Sequence, residues 1–188
     1  MWRTYSISLY NLWNVFINIE NYIIFIIHIN LMQILSFWFP NNDYNLWWFK
    51  SNQILDRQIY DTYYEQMIQT FNDFNIENYI DKSPEELITT IILLDQFSRN
   101  INRIINLNVK EYTEKAYQLS QIWIDKQYYL NQSINKTVFA LLPMRHIGKQ
   151  NDLINIISIL NQIENLNSKN EIFIKFKLHT IRQYNILI

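Results

Sequence analysis

The 188-residue chain contains no cysteine and a single glycine, Gly148. Without cysteine there is no disulfide, no thiolate ligand for a metal and no cysteine nucleophile. One glycine cannot build the glycine-rich turns that cradle phosphates, so a P-loop and a dinucleotide-binding fingerprint are both excluded. Proline occurs three times. This shortage of turn formers argues against an all-β sandwich, which needs many tight turns. An excess of one charge is lacking too: 16 Lys and Arg stand against 17 Asp and Glu, for a net charge of −1. The chain as a whole therefore has no basic footprint for nucleic acid, and no Lys/Arg run supplies one locally. Nucleic acid is not an expected partner.

What the chain does have is apolar and aromatic mass. Apolar residues make up 49% and aromatics 16%, ample for the core of one domain of this length. Ile and Asn are heavily used. Both have A/T-rich codons, so Asn-rich stretches are a poor sign of disorder here.

Residues 21–42 carry no Asp, Glu, Lys or Arg, and Tyr22 to Ile27 is continuously apolar or aromatic. A membrane span is nevertheless not expected. His28, Asn30, Gln33 and Ser36 interrupt the run, and extending it backwards meets Glu20 and several asparagines, whereas a span wants about 20 mainly apolar residues. No small-residue cleavage site follows, as a secretory signal would require. The expected organisation is an apolar N-terminal extension over 1–31, either docked as an extra helix or without a structural partner, and an all-α domain over 32–188. A soluble, cytoplasmic protein is expected.

From residue 31 onward the periodicity is helical. Leu31 to Phe39 forms a short apolar segment that Pro40 stops. Asn41 to Asn45 reads as a turn. Ser51 is a candidate N-cap for a helix reaching Phe71, with Leu55, Ile59, Tyr63, Met67 and Phe71 as its buried stripe. Ser83-Pro84-Glu85-Glu86 is a capping box with proline at the first helical position, and it opens a helix expected to end at Arg99 or Asn100. Lys110 to Gln127 follows, with Tyr112, Ala116, Leu119 and Trp123 on one face. Asn135 to Leu142 should stop near Pro143, and Gln150–Ile163 and Glu171–Tyr184 complete the set. Short loops suit antiparallel helical hairpins, six to seven helices in all. No exact repeat of about 34 residues marks a tetratricopeptide array in the sequence itself.

The most distinctive stretch is Ile91-Ile92-Leu93-Leu94-Asp95-Gln96-Phe97-Ser98-Arg99-Asn100. An apolar helix leaves the core through a polar cluster in which Asp95 and Arg99 are i,i+4 neighbours, as are Gln96 and Asn100. Asp95 should be mostly buried and paired with Arg99. Leu93 to Asn100 resembles a motif of an uncharacterised family best known in bacteria, domain of unknown function 924, whose pattern is leucine-leucine-aspartate-glutamine-phenylalanine-proline-arginine-asparagine. Ile34-Leu35-Ser36-Phe37-Trp38-Phe39, Trp48-Phe49 with the helix after it, and Leu142-Pro143-Met144-Arg145-His146 resemble three further blocks in the same order, over residues 32 to about 184. The resemblance implies a tetratricopeptide-like right-handed stack of helical hairpins and carries no established activity. Two departures stand out. Ser98 occupies the position where the family has proline, which should tighten the end of that helix. After His179 the chain lacks the family's phenylalanine-glycine-arginine and histidine-arginine-asparagine segment, so a truncated C-terminus is expected.

The polar cluster supports more than one role. In a structural one, Asp95 pairs with Arg99, Gln96 bonds a loop and Asn100 caps the helix. In a functional one these residues line a pocket with Arg145 and His146, Asp95 orienting His146 while Arg99 or Arg145 holds an anion. His146, near a helix start, has structural and catalytic readings alike. The aromatic set Phe37, Trp38, Phe39, Trp47, Trp48 and Phe49 reads as core, because only Lys50 lies near to support a base-stacking platform. His28 and His179 have no neighbours at metal-ligand spacing, so no metal or cofactor is expected. The leading expectation is a protein- or peptide-binding scaffold with Gln96, Asn100 and Trp48 as binding residues. The alternative is a hydrolase or transferase acting on a small anionic substrate, with His146, Asp95, Arg99 and Arg145 as catalytic candidates.

Overall fold

A computed structural model of the chain describes residues 31–40, 48, 50 and 52–188. The expected turn at 41–45, Trp47, Phe49, Ser51 and the extension over 1–30 lie outside the described residues. The chain divides into two compact units, Met1–Pro40 and Asn41–Ile188. Among the described residues all regular structure is helical, with no strand, and no helix is long and apolar enough to cross a membrane.

In the first unit, helix α1 spans residues 31–38. The Phe39 N–H still reaches the Leu35 carbonyl at 2.8 Å, and Pro40, which has no N–H to continue the ladder, ends the helix. Ile34, Leu35, Trp38 and Phe39 are buried and Phe37 is half-buried.

The second unit begins its helices with α2, Gln53–Asn72. Its cap is Asn52, whose Oδ1 accepts from the Ile54 and Leu55 N–H groups. The buried stripe is Asp56, Ile59, Tyr63 and Met67. Both ends of the expected stripe differ: Leu55 and Phe71 are only half-buried, and the helix turns Asp56 inward instead.

The capping box at Ser83 forms as expected. The Glu86 N–H donates to Ser83 Oγ at 3.2 Å and the Ser83 N–H to Glu86 Oε2 at 3.0 Å. Helix α3, Pro84–Ile91, then passes without a break through a π-helical turn, Ile92–Phe97, into α4, Ser98–Ile105. Residues 87–98 are all buried. A helix buried all round is a central rod, and this one is packed by α2 and by two later helices, α5 (Val109–Asp125) and α6 (Ile134–Ile147). Its C-terminal cap is Asn106, in the left-handed region at φ 51°. Asn100 is therefore not a cap, and Ser98 neither ends nor tightens the helix. At Ser98 the φ is −57°, a value proline would also adopt.

Helix α5 buries Tyr112, Ala116, Leu119 and Trp123, the face its periodicity indicates. Helix α6 runs through Pro143 to Ile147, contrary to the expected stop. A mid-helix proline costs about 3 kcal/mol relative to alanine, but the segment around it, Val138 to Met144, is buried, and apolar burial at about 25 cal/mol per Å² offsets such a cost. The consequence is that Arg145 and His146 sit in the last turn of a helix rather than near a start. The only glycine ends it, Gly148 at φ +72°. A Cβ there would lie 2.8 Å from Gln183 Nε2, the same atom that donates to the Arg145 carbonyl at 3.0 Å. Helices α7 (Gln150–Gln162), α8 (Glu164–Asn167) and α9 (Glu171–Leu187) follow, with α9 packed on α6 and α7.

Candidate functional site

Asp95 lies in the π turn and is fully buried. Its two oxygens collect donors from three elements. Arg99 Nη2 donates at 3.0 Å and Thr113 Oγ1 of α5 at 3.0 Å, both to Oδ1. Gln96 Nε2 reaches Oδ2 at 2.6 Å. His146 Nδ1 of α6 stands 3.0 Å from the carboxylate. Thr113 also accepts from Arg99 Nη2 at 2.8 Å. Burial by itself would raise the Asp95 carboxyl, but the His146 imidazole and then the Arg99 guanidinium override it and hold the group well below the usual carboxylate range. An ionised carboxylate can only accept, so His146 Nδ1 carries the proton toward it. His146 Nε2 makes no hydrogen bond among the described residues.

A second buried carboxylate lies one turn further along the rod. Asp56 of α2 accepts from Asn100 Nδ2 at 2.9 Å and from Arg103 Nε at 2.7 Å, and Arg103 Nη2 closes a two-point pair. Gln96, Arg99, Asn100 and Arg103 are spaced i, i+3, i+4, i+7 and so share one helix face. That face meets Leu142, Arg145 and His146 of α6, with Trp48 and Lys50, around a cleft of about 200 Å³. Trp48 is braced edge-on against Phe139 of α6 at 4.9 Å between ring centres.

Four cationic side chains line this cleft, and the two carboxylates that offset them lie beneath its wall. Arg103 is matched by Asp56 and Arg99 by Asp95. Arg145 has no carboxylate partner among the described residues; its guanidinium lies 5.0 Å over the Phe176 ring. Burial lowers its pKa from the ordinary arginine value, Asp95 opposing and Arg99 adding to the fall. Arg99 Nε is buried with no hydrogen-bond partner among the described residues.

Six residues singled out from the sequence, His146, Arg99, Arg145, Gln96, Asn100 and Trp48, line the one cleft. The seventh, Asp95, lies behind it. Gln96 bonds Asp95 rather than a loop. Four contributors were missed as site residues: Arg103, Asp56, Lys50 and Thr113. The spacing Asp95–Arg99–Arg103 offered a signal for Arg103, and Asp56 on an otherwise apolar stripe offered one for the second carboxylate. Nothing in the sequence singles out Thr113. Among the described residues no three His, Cys, Asp or Glu side chains gather as a metal site.

Fold and site together define an all-α domain that closes a small cationic cleft over two buried aspartates. The chain belongs to the family described as bacterial protein of unknown function (DUF924), which matches residues 34–185. It is similar in structure to a protein of unknown function from Agrobacterium tumefaciens, with a TM-score of 0.66 and 17% identity over 85% of this chain and 83% of that one. At that identity the likeness shows the fold. No curated protein matches the chain.

Proposed function

We propose that the cleft binds a small anionic ligand, and that recognition of this ligand is the function the fold serves. One observation carries this: Arg145 holds a half-buried positive charge at the cleft with no carboxylate in salt-bridge contact among the described residues. Burying an unpaired charge is costly, and a bound carboxylate or phosphate supplies the missing partner through charge-assisted hydrogen bonds. At about 200 Å³ the cleft is below the usual range for drug-sized ligands, about 300–1,000 Å³, which favours a compact molecule over a peptide laid along a groove. Calorimetry with inorganic phosphate and succinate tests it. Binding should be lost in Arg145→Met, while that variant melts no lower than the parent because no salt bridge is broken. A variant that binds normally, or an Arg145→Met protein that melts much lower, overturns the assignment.

A catalytic role has its own support. Asp95 fixes the tautomer of His146 and leaves Nε2 without a hydrogen bond, the arrangement of an oriented general base. A hydrolase or transferase acting on the bound anion would use it so. His146→Gln should then abolish turnover of phosphate or carboxylate esters while sparing anion binding. Turnover that survives this change rules His146 out as the base.

A further inference from the structure

We infer that the ligand of the cleft carries hydroxyl groups as well as its anion, and that Gln96 and Asn100 select it through their amide oxygens. The inference rests on the anion site proposed above and narrows its occupant. Each of the two amides touches a buried aspartate, Gln96 Nε2 at 2.6 Å from Asp95 Oδ2 and Asn100 Nδ2 at 2.9 Å from Asp56 Oδ1. A carboxylate accepts and does not donate, so each amide must turn its NH2 group inward. Flipping either would set an amide oxygen against carboxylate oxygens. What each residue has left is the second hydrogen of its inward-turned NH2 group and, for the cleft it lines, a carbonyl oxygen with no hydrogen-bond partner among the described residues.

The cleft therefore offers two kinds of group in fixed places. Arg99, Arg145 and Lys50 present donors. Gln96 and Asn100, one helical turn apart, present two acceptors roughly 5–6 Å from each other. A bare anion answers the first set and leaves the second facing it with lone pairs unmatched. A ligand with donors beside its anion answers both. An ammonium donor would meet the four cations that line the same cleft, so the donors that fit are neutral hydroxyls. Trp48 and Leu142 give a short carbon skeleton an apolar edge. The class is a small hydroxy acid or a hydroxylated phosphate ester.

Calorimetry on the full chain with two matched series tests this: succinate, malate and tartrate for a carboxylate anion, and methyl phosphate against glycerol 1-phosphate for a phosphate. In the series whose anion fits, the hydroxylated members should bind at least about tenfold more tightly, since an acceptor that a ligand covers and leaves unmatched weakens binding. Gln96→Met keeps three of the four donors to Asp95. It should reduce that discrimination severalfold. Equal binding within the fitting series overturns hydroxyl selection and leaves the anion site standing. Absence of binding by every probe overturns both. The series on the parent protein decides the matter even if the variant fails to fold.

Discussion

Two buried aspartates, each with an arginine from the same rod, differ in how they are satisfied. Asp95 is fully buried and gathers Arg99, Gln96, Thr113 and His146 from its own turn, α5 and α6. Among the described residues Asp56 is held by the side chains of Asn100 and Arg103 alone, and the Arg103 side chain is 39% exposed against 33% for Arg99. A buried charge is costly to leave unmatched, and its partners suffer most when it is removed. The Asp95 cluster ties three elements around one charge. The Asp56 cluster ties two, with water screening part of the pair. Arg99 and Arg103 each pair with a buried carboxylate, whereas Arg145 has no carboxylate partner among the described residues.

The sharpest way to break this comparison is to remove each carboxylate in turn. Asp95→Ala strands Arg99 and His146 beside Arg145 and should cost about 3–5 kcal/mol, a fall of roughly 10 °C or more in melting temperature for a domain of this size. Asp56→Ala should cost less, about 2 kcal/mol, because Arg103 can turn to solvent. Equal losses in thermal melts would show that the count of elements joined does not set the cost. Acid titration sharpens the same contrast. The unfolded chain protonates Asp95 near the ordinary value of about 3.9, and the folded chain only at lower pH, so the unfolded state binds more protons and stability rises with pH there. Asp95's contribution is complete above about pH 5 and erodes as pH falls toward the lowered folded value. Asp95→Asn should show a shallower loss of stability from pH 5 to pH 2 than the parent, and an unchanged slope would sink the claim. Next in size is Arg145→Met, expected to leave stability unchanged or to raise it by about 1 kcal/mol, since a partly desolvated charge with no carboxylate partner among the described residues is removed. Smallest is Ser98→Pro. The φ of −57° already suits proline, and the wider π turn gives its ring room. A change of about 1 kcal/mol or less is expected by denaturant melt, and a larger loss would mean that the Ser98 N–H or its Oγ bond to the Asp95 carbonyl matters more than backbone fit.

Of this molecule the sequence by itself determined the helices and the central motif. Capping at Ser83, the stop at Pro40 and the Tyr112–Trp123 face depend on groups within a turn or two of each other, so they are readable from spacing alone. The Asp95–Arg99 pair belongs to the same class, being four residues apart. Errors arose where burial outweighed a local rule. Pro143 did not end its helix because the chain around it is packed in the core, and Asn100 did not cap because Asp56 claimed its amide. Tertiary structure decided which distant groups meet. Asn100 and Asp56 are 44 residues apart and His146 and Asp95 are 51 apart. Only the packing of α2 and α6 against the rod brings them together. The cleft and the inward turn of its two amides follow from that packing, because a buried carboxylate takes its donors from whichever elements the fold sets beside it.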